Sequence, residues 1–256
     1  MISKAEAIIL HSRKQGETSK ILSLYTREYG KMSVMAKGSR GVRSKYLGTL
    51  ETFNHVSLVF YFKEGRQLQY LSDASIIEPF PHLHGQLGKM ALAAVACEII
   101  DKNEEEASHP EQFHLLLNAL RALNDNERGL RNIVRAFQIQ YISNAGYEPI
   151  LDACYYCQKS QPDDLNYFSI EQGIYSCGQC GFLKDASRQV SGYTVELLRW
   201  FKNAPIEITS QAQVSKSAGE EIDAILVEYL RSHIEALSHL KSVDHLKKLQ
   251  LELGVN

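Results

Sequence analysis

AIILHSRKQGETSKILSLYTREYGKMSVMAKGSRGVRSK, residues Ala7 to Lys45, contains three apolar runs broken by glycine-bearing turns. Within it Met32, Val34 and Ala36 alternate with Ser33, Met35 and Lys37, the two-residue period of a half-buried strand. Working outward, Ala7 to Leu10, Ile21 to Tyr25, Lys31 to Lys37, His55 to Phe62 and Gln67 to Ser72 make five strand-like runs. Turns at Gln15-Gly16, Tyr29-Gly30, Gly38 to Gly41 and Glu64-Gly65 separate them. Five short strands in so little chain suit a small closed barrel.

After Pro79 and Pro81 the alternation gives way to helical spacing, in Leu87 to Ile100, Gln112 to Leu123 and Arg128 to Asn144. Thr194 to Lys202 and a long segment from Glu220 have the same spacing, with Ser217 and Glu220 set as a capping box. The expected class is α+β: an N-terminal OB-fold barrel, then an α-helical domain interrupted by a four-cysteine zinc ribbon. The expected divisions are 1–80 for the barrel, 81–150 for the first helical part, 151–186 for the metal module and 187–256 for the second helical part. OB-folds commonly hold single-stranded nucleic acid on an open face and its loops.

The four cysteines read C-x2-C, nineteen residues, C-x2-C: Cys154 and Cys157, then Cys177 and Cys180. Each pair can turn both thiolates toward one point, and two such knuckles supply the sulfur tetrahedron that Zn²⁺ accepts at about 2.3 Å. A shell of four thiolates has no open position for substrate or water, so the expected Zn²⁺ is structural. The module is a poor DNA contact. Lys159 and Lys184 face Asp152, Asp163, Asp164, Glu171 and Asp185, and four thiolates around one Zn²⁺ add −2. It should brace the helical domain or meet a protein partner. The fifth cysteine, Cys97, stands in an apolar stretch and reads as a buried small hydrophobe.

The net charge of −2 conceals an asymmetry, because residues 1–45 carry ten Lys/Arg against three acids. From Lys31 to Lys45 there are five cations (Lys31, Lys37, Arg40, Arg43, Lys45) and no acid, around a centre of Gly38, Ser39, Gly41 and Ser44. Small residues let backbone approach phosphates, and the flanking cations can displace condensed counterions, the source of most sequence-independent nucleic-acid affinity. Arg128, Arg131 and Arg135 recur at i, i+3 and i+7 and could grip an acidic, hydrophobic-ended peptide. No phosphate-binding loop, dinucleotide fingerprint or nucleophile elbow occurs, so an enzyme is not indicated. The apolar runs are too short to span a bilayer and the N-terminus has no secretory pattern, so a cytoplasmic protein without membrane contact is expected.

Ala7 to Lys45 resembles the N-terminal barrel of the bacterial DNA repair and recombination mediator family RecO. The shared features are the turn Gly16-Glu17-Thr18 and the segment Lys31 to Gly38, KMSVMAKG. Phe137 to Cys157, FQIQYISNAGYEPILDACYYC, resembles that family's helix, Gly-Tyr-x-Pro turn and first cysteine knuckle. The resemblance implies a non-enzymatic mediator that binds single- and double-stranded DNA and anneals complementary strands. It also implies action with RecR and single-stranded DNA-binding protein to load RecA at gaps. It brings over Lys37, Arg40, Arg43 and Lys45 as DNA contacts, with Arg13, Lys14 and Lys20 beside them. It lends support to Arg121, Arg128, Arg131 and Arg135 as contacts for the acidic C-terminal tail of single-stranded DNA-binding protein. Because the family does not always keep four cysteines, it also implies a supporting role for zinc. An RNA-processing or translation protein pairing an OB-fold with a zinc ribbon is the alternative reading.

Overall fold

A computed structural model describes residues 1–103, 107–181 and 187–253. Its five N-terminal strands are β1 (Ile2–Gln15), β2 (Ser19–Thr26), β3 (Gly30–Ala36), β4 (His55–Tyr61) and β5 (Leu68–Glu78). They close into a barrel in the order β1-β2-β3-β5-β4. β3 and β5 run parallel and every other neighbouring pair is antiparallel. This is the expected OB-type barrel.

The alternation seen in the sequence decides which side chains enter it. Ala5, Ala7, Ile9, Leu22, Leu24, Val34, Ala36, Val56, Leu58 and Phe60 fill the interior. β1 reaches beyond the expected Ala7 to Leu10 in both directions, pairing with β4 over its first half and β2 over its second. A register shift between Ile9 and His11 bends the strand between those two partners. In the basic loop after β3, Gly38 holds φ 67°, a conformation that L side chains adopt only with strain.

One end of the barrel's outer surface is covered by α2 (Leu87–Asn103) and α3 (Pro110–Asp125). Tyr25, outward-facing on β2, is fully buried with its ring 6.2 Å from that of Phe113. α2 is apolar on nearly every side, which marks a helix enclosed all round. Its Lys89, 1% exposed, donates to the carbonyl of Asn124 at the C-terminal end of α3, 3.0 Å away. Cys97 is buried here as expected, and burial pushes its thiol far up. α7 (Lys241–Leu253) packs on α2, and the Glu98 carboxylate accepts from the backbone N–H groups of Lys241 and Ser242. By contacts, 1–125 and 240–256 form one compact unit, which includes α1 (Pro81–Gly85), and 126–239 form another.

In the second unit, α4 (Leu130–Asn144), α5 (Gly192–Asn203) and α6 (Lys216–His233) accompany a small antiparallel sheet. That sheet has the order β7 (Ile174–Cys177), β6 (Leu165–Ser169), β8 (Ser187–Ser191). α4 starts two residues later than expected. Gly129 caps it at φ 64°, and a Cβ there would meet the Ser210 carbonyl oxygen at 1.9 Å, so only glycine fits. The expected Ser217–Glu220 box is also displaced: Ser215 is the N-cap of α6 and accepts from the Ala218 N–H, leaving Ser217 inside the helix. The segment from Glu220 is not one helix. α6 ends at His233, and a 3-10 turn, Glu235–Leu237, separates it from α7. Among the described residues, no helix is long and apolar enough to cross a membrane.

Candidate nucleic-acid interface and metal centre

The eight cations expected to contact DNA fall into two groups. Arg13, Lys14, Lys37 and Arg43 are exposed and carry no carboxylate partner among the described residues. The other four are engaged by the fold. Lys20 pairs with Glu51 at 3.3 Å and Lys45 with Asp73 at 3.0 Å, and the Asp73 contact raises the Lys45 ammonium's affinity for its proton. Lys31 points beneath α2, toward the Asp101 carboxylate at 3.5 Å and its backbone carbonyl. Arg40 remains exposed, but its Nη1 donates to the carbonyls of Gly16 and Glu17 at 2.9 and 2.8 Å, tying the basic loop to the β1–β2 turn. Residues close in sequence thus separate into free charge and structural charge.

Asp101 is the reason Lys31 turns inward. Its carboxylate accepts from the Ser23 hydroxyl at 2.6 Å and lies 3.3 Å from His11 Nε2. Burial works against its ionisation, yet the hydrogen bonds of His11 and Ser23 and the charge of Lys31 outweigh burial and bring it down to about 2. Sequence reasoning missed a contact near the other end of β3. Lys37 Nζ lies 5.0 Å from the ring centre of Tyr70, and the Arg66 guanidinium carbon 5.4 Å from it. Arg66 carries no sequence signal for this role, because only the register of β5 brings Tyr70 beside β3.

The four arginines expected to meet a protein partner also differ. Arg128 is exposed and without a carboxylate partner among the described residues. Arg121 is half-buried against Glu78, donating from Nε at 2.8 and 3.1 Å, and Arg131 pairs with Asp223 at 2.7 Å. Arg135 is 6% exposed and braces the interior: its guanidinium donates to Asp223, the Asn132 side chain and the Gly219 carbonyl. An incoming peptide has no access to such a group.

Cys154, Cys157, Cys177 and Cys180 converge as expected, with all four Sγ atoms within 4.8 Å of one another. The Sγ atoms of Cys157 and Cys177 are 3.7 Å apart. That fits the edge of a tetrahedron with metal–sulfur bonds of about 2.3 Å, about 3.8 Å, and is far from a disulfide at about 2.05 Å. β7 delivers Cys177, whose N–H donates to Cys154 Sγ at 3.3 Å. Burial opposes ionisation of Cys154, but the N–H groups of Cys157, Cys177 and Tyr156 bring it down to about 6. Cys180 is pushed up to about 12 by the neighbouring sulfurs of Cys157 and Cys177. Four thiolates therefore need a cation among them, and the donor set fits a closed metal site. Arg199 of α5 ties the first knuckle down, donating to the Leu151 carbonyl at 2.8 Å and that of Ser160 at 3.0 Å. The nearly buried Lys202 reaches Glu148 at 3.0 Å and Asp152 at 3.7 Å. Lys184 and Asp185, counted in the module's charge, lie outside the described residues.

An OB-type barrel bearing free cations, in one chain with a helical unit whose small sheet and turns gather four cysteines, defines a class: an OB-fold protein with a four-cysteine cluster able to hold a metal ion. Comparison with known proteins narrows it. Residues 1–80 match the family model described as recombination protein O N terminal, and residues 84–243 the one described as recombination protein O C terminal. The chain is 32% identical over 233 residues to the DNA repair protein RecO of Pelotomaculum thermopropionicum, covering 91% of this chain and 89% of that protein. It is 30% identical over 255 residues to that of Bacillus pumilus, covering 97% of each, and 29% identical over 248 residues to that of Thermoanaerobacter sp., covering 96% and 98%. The chain belongs to the RecO family.

Proposed function

We propose that this chain is a non-enzymatic mediator of recombinational DNA repair. It binds single- and double-stranded DNA through the barrel and anneals complementary strands. With RecR and single-stranded DNA-binding protein it promotes RecA loading. Family membership supports the partners and the process, and the observation that carries DNA binding is the set of unpaired cations Arg13, Lys14, Lys37 and Arg43 on the barrel. Annealing requires two polyanions to be held close with their base edges free. A sequence-independent cationic surface does this by lowering phosphate repulsion. Arg40 contributes by fixing the loop that carries Arg43, while Lys20, Lys31 and Lys45 add to the local field with their charge largely neutralised. The acidic tail of the strand-coating protein meets Arg128; Arg121 and Arg131 would have to exchange Glu78 and Asp223 for it. Cys154, Cys157, Cys177 and Cys180 hold a structural Zn²⁺, whose charge permits four thiolates to coexist and cross-links the two knuckles.

The test is annealing of complementary oligonucleotides precoated with single-stranded DNA-binding protein, followed across salt. Four phosphate contacts on a single strand give a log-log slope of about −3, a loss of roughly fiftyfold between about 50 and 200 mM salt. A slope near zero, or annealing by a chain lacking these four charges, would overturn the reading.

A further inference from the structure

One outward-facing row of side chains crosses every strand of the barrel. Arg13 on β1 lies opposite Ile21 on β2, Ile21 opposite Met35 on β3, and Met35 opposite Tyr70 on β5. Tyr70 lies opposite Tyr61 on β4, and Tyr61 opposite Ile2, back on β1. The row leaves β1 at residue 13 and returns at residue 2, the stagger a closed barrel requires. Its two ends differ. Ile21 is buried and Met35 and Tyr70 are half-buried, whereas Tyr61 is 50% and Ile2 62% exposed. An exposed tyrosine next to an exposed isoleucine on a sheet face has apolar area to cover. Lys37 and Arg66 lie over the Tyr70 ring, the exposed Lys4 stands two residues from Ile2 on the same face of β1, and the carboxylate of the next row, Asp73, is held by Lys45 at 3.0 Å.

We propose that Tyr61 is a base-stacking platform for single-stranded DNA, with Tyr70 positioning Lys37 and Arg66 for the phosphates on either side of the stacked base. The proposal rests on the barrel being the DNA-binding unit. Charge complementarity selects the occupant. An apolar protein partner would gain nothing from cations held over an aromatic ring, whereas a nucleotide carries both a π-face and an anion. Tyr61 and Tyr70 are directly opposed on adjacent strands, so their Cβ atoms lie about 5 Å apart, within the reach of a single nucleotide. The row also gives the strand a direction, from Tyr61 across Tyr70 toward Lys37 and Arg13.

The experiment compares binding of oligo-dT and of an abasic oligonucleotide of equal length by the full chain and by Tyr61→Ala, Tyr61→Phe and Lys37→Glu, with thermal melting to show that each variant folds. Tyr61→Ala should weaken oligo-dT binding about five- to a hundredfold and leave abasic binding unchanged, while Tyr61→Phe should restore oligo-dT affinity. Lys37→Glu should weaken both ligands. If Tyr61→Ala leaves oligo-dT affinity as it was, or lowers both affinities equally, the platform is overturned and the face is open to a protein partner. If the unaltered chain binds neither ligand, the DNA-binding reading itself fails.

Discussion

Lys37 and Arg43 hold unpaired charge in a segment where Lys31 and Lys45 face Asp101 and Asp73 and Arg40 binds backbone carbonyls. Charge reversal should therefore separate them. Lys37→Glu with Arg43→Glu should make the salt dependence of single-strand binding shallower by about 1.4 log units per log unit of salt, or more, measured by fluorescence anisotropy. Lys31→Met should leave that slope unchanged and lower stability by about 1 kcal/mol, because it removes an internal hydrogen bond from a half-buried site. Arg135 sits with Arg131 on the same carboxylate, Asp223, but more deeply. Arg135→Ala should cost about 2–3 kcal/mol in urea unfolding, since it strips partners from Asp223, Asn132 and the Gly219 carbonyl. A loss below about 0.5 kcal/mol would show that Arg131 alone satisfies the carboxylate.

A polar cluster, Asp101 with Ser23, His11 and Lys31, ties α2 to the barrel. Asp101 ionises near 2 in the fold against 3.8 in its ordinary state, so its contribution to stability is complete above about pH 4. That contribution falls away as pH drops from about 4 through about 2. Comparing the urea midpoints of the unaltered chain and Asp101→Asn at pH 5 and pH 3 isolates it. The gap between the two proteins should be wide at pH 5 and narrower at pH 3, and a gap that widens in acid would reverse the assignment. The same element shows why α7 belongs with the first unit. Glu98 accepts from the first N–H groups of a helix 143 or more positions further along the chain, which satisfies donors that no helix can pair internally.

For the molecule as a whole, the cysteine cluster and the free barrel cations lie in different compact units. Structural zinc in finger peptides is worth about 10–16 kcal/mol, as much as an entire domain's stability of about 5–15. Chelation, or Cys157→Ser, should therefore unfold the ribbon around residues 151–191, read by hydrogen exchange, while single-strand affinity changes less than about threefold. A parallel collapse of DNA binding would place the metal in the interface. Metal analysis should return one zinc per chain, and X-ray absorption four sulfur neighbours. Much of this was legible in the chain itself. The alternation in KMSVMAK, the glycine turns and the helical spacing after Pro81 are local patterns, set by backbone geometry and burial. The C-x2-C pairs carry their chemistry in their spacing. What the sequence alone could not decide was which charges are free. Lys31 near the start of β3 and Lys37 just past its end stand six residues apart, and only the packing of α2 turns one toward Asp101 while register sets the other over Tyr70. The helix cap behaved likewise: Ser217, with Glu220 three residues on, is favoured by the sequence, yet Ser215 holds the extended backbone of the cap. Local order follows from residue type and spacing, whereas the freedom of a charge depends on partners brought near from distant parts of the chain.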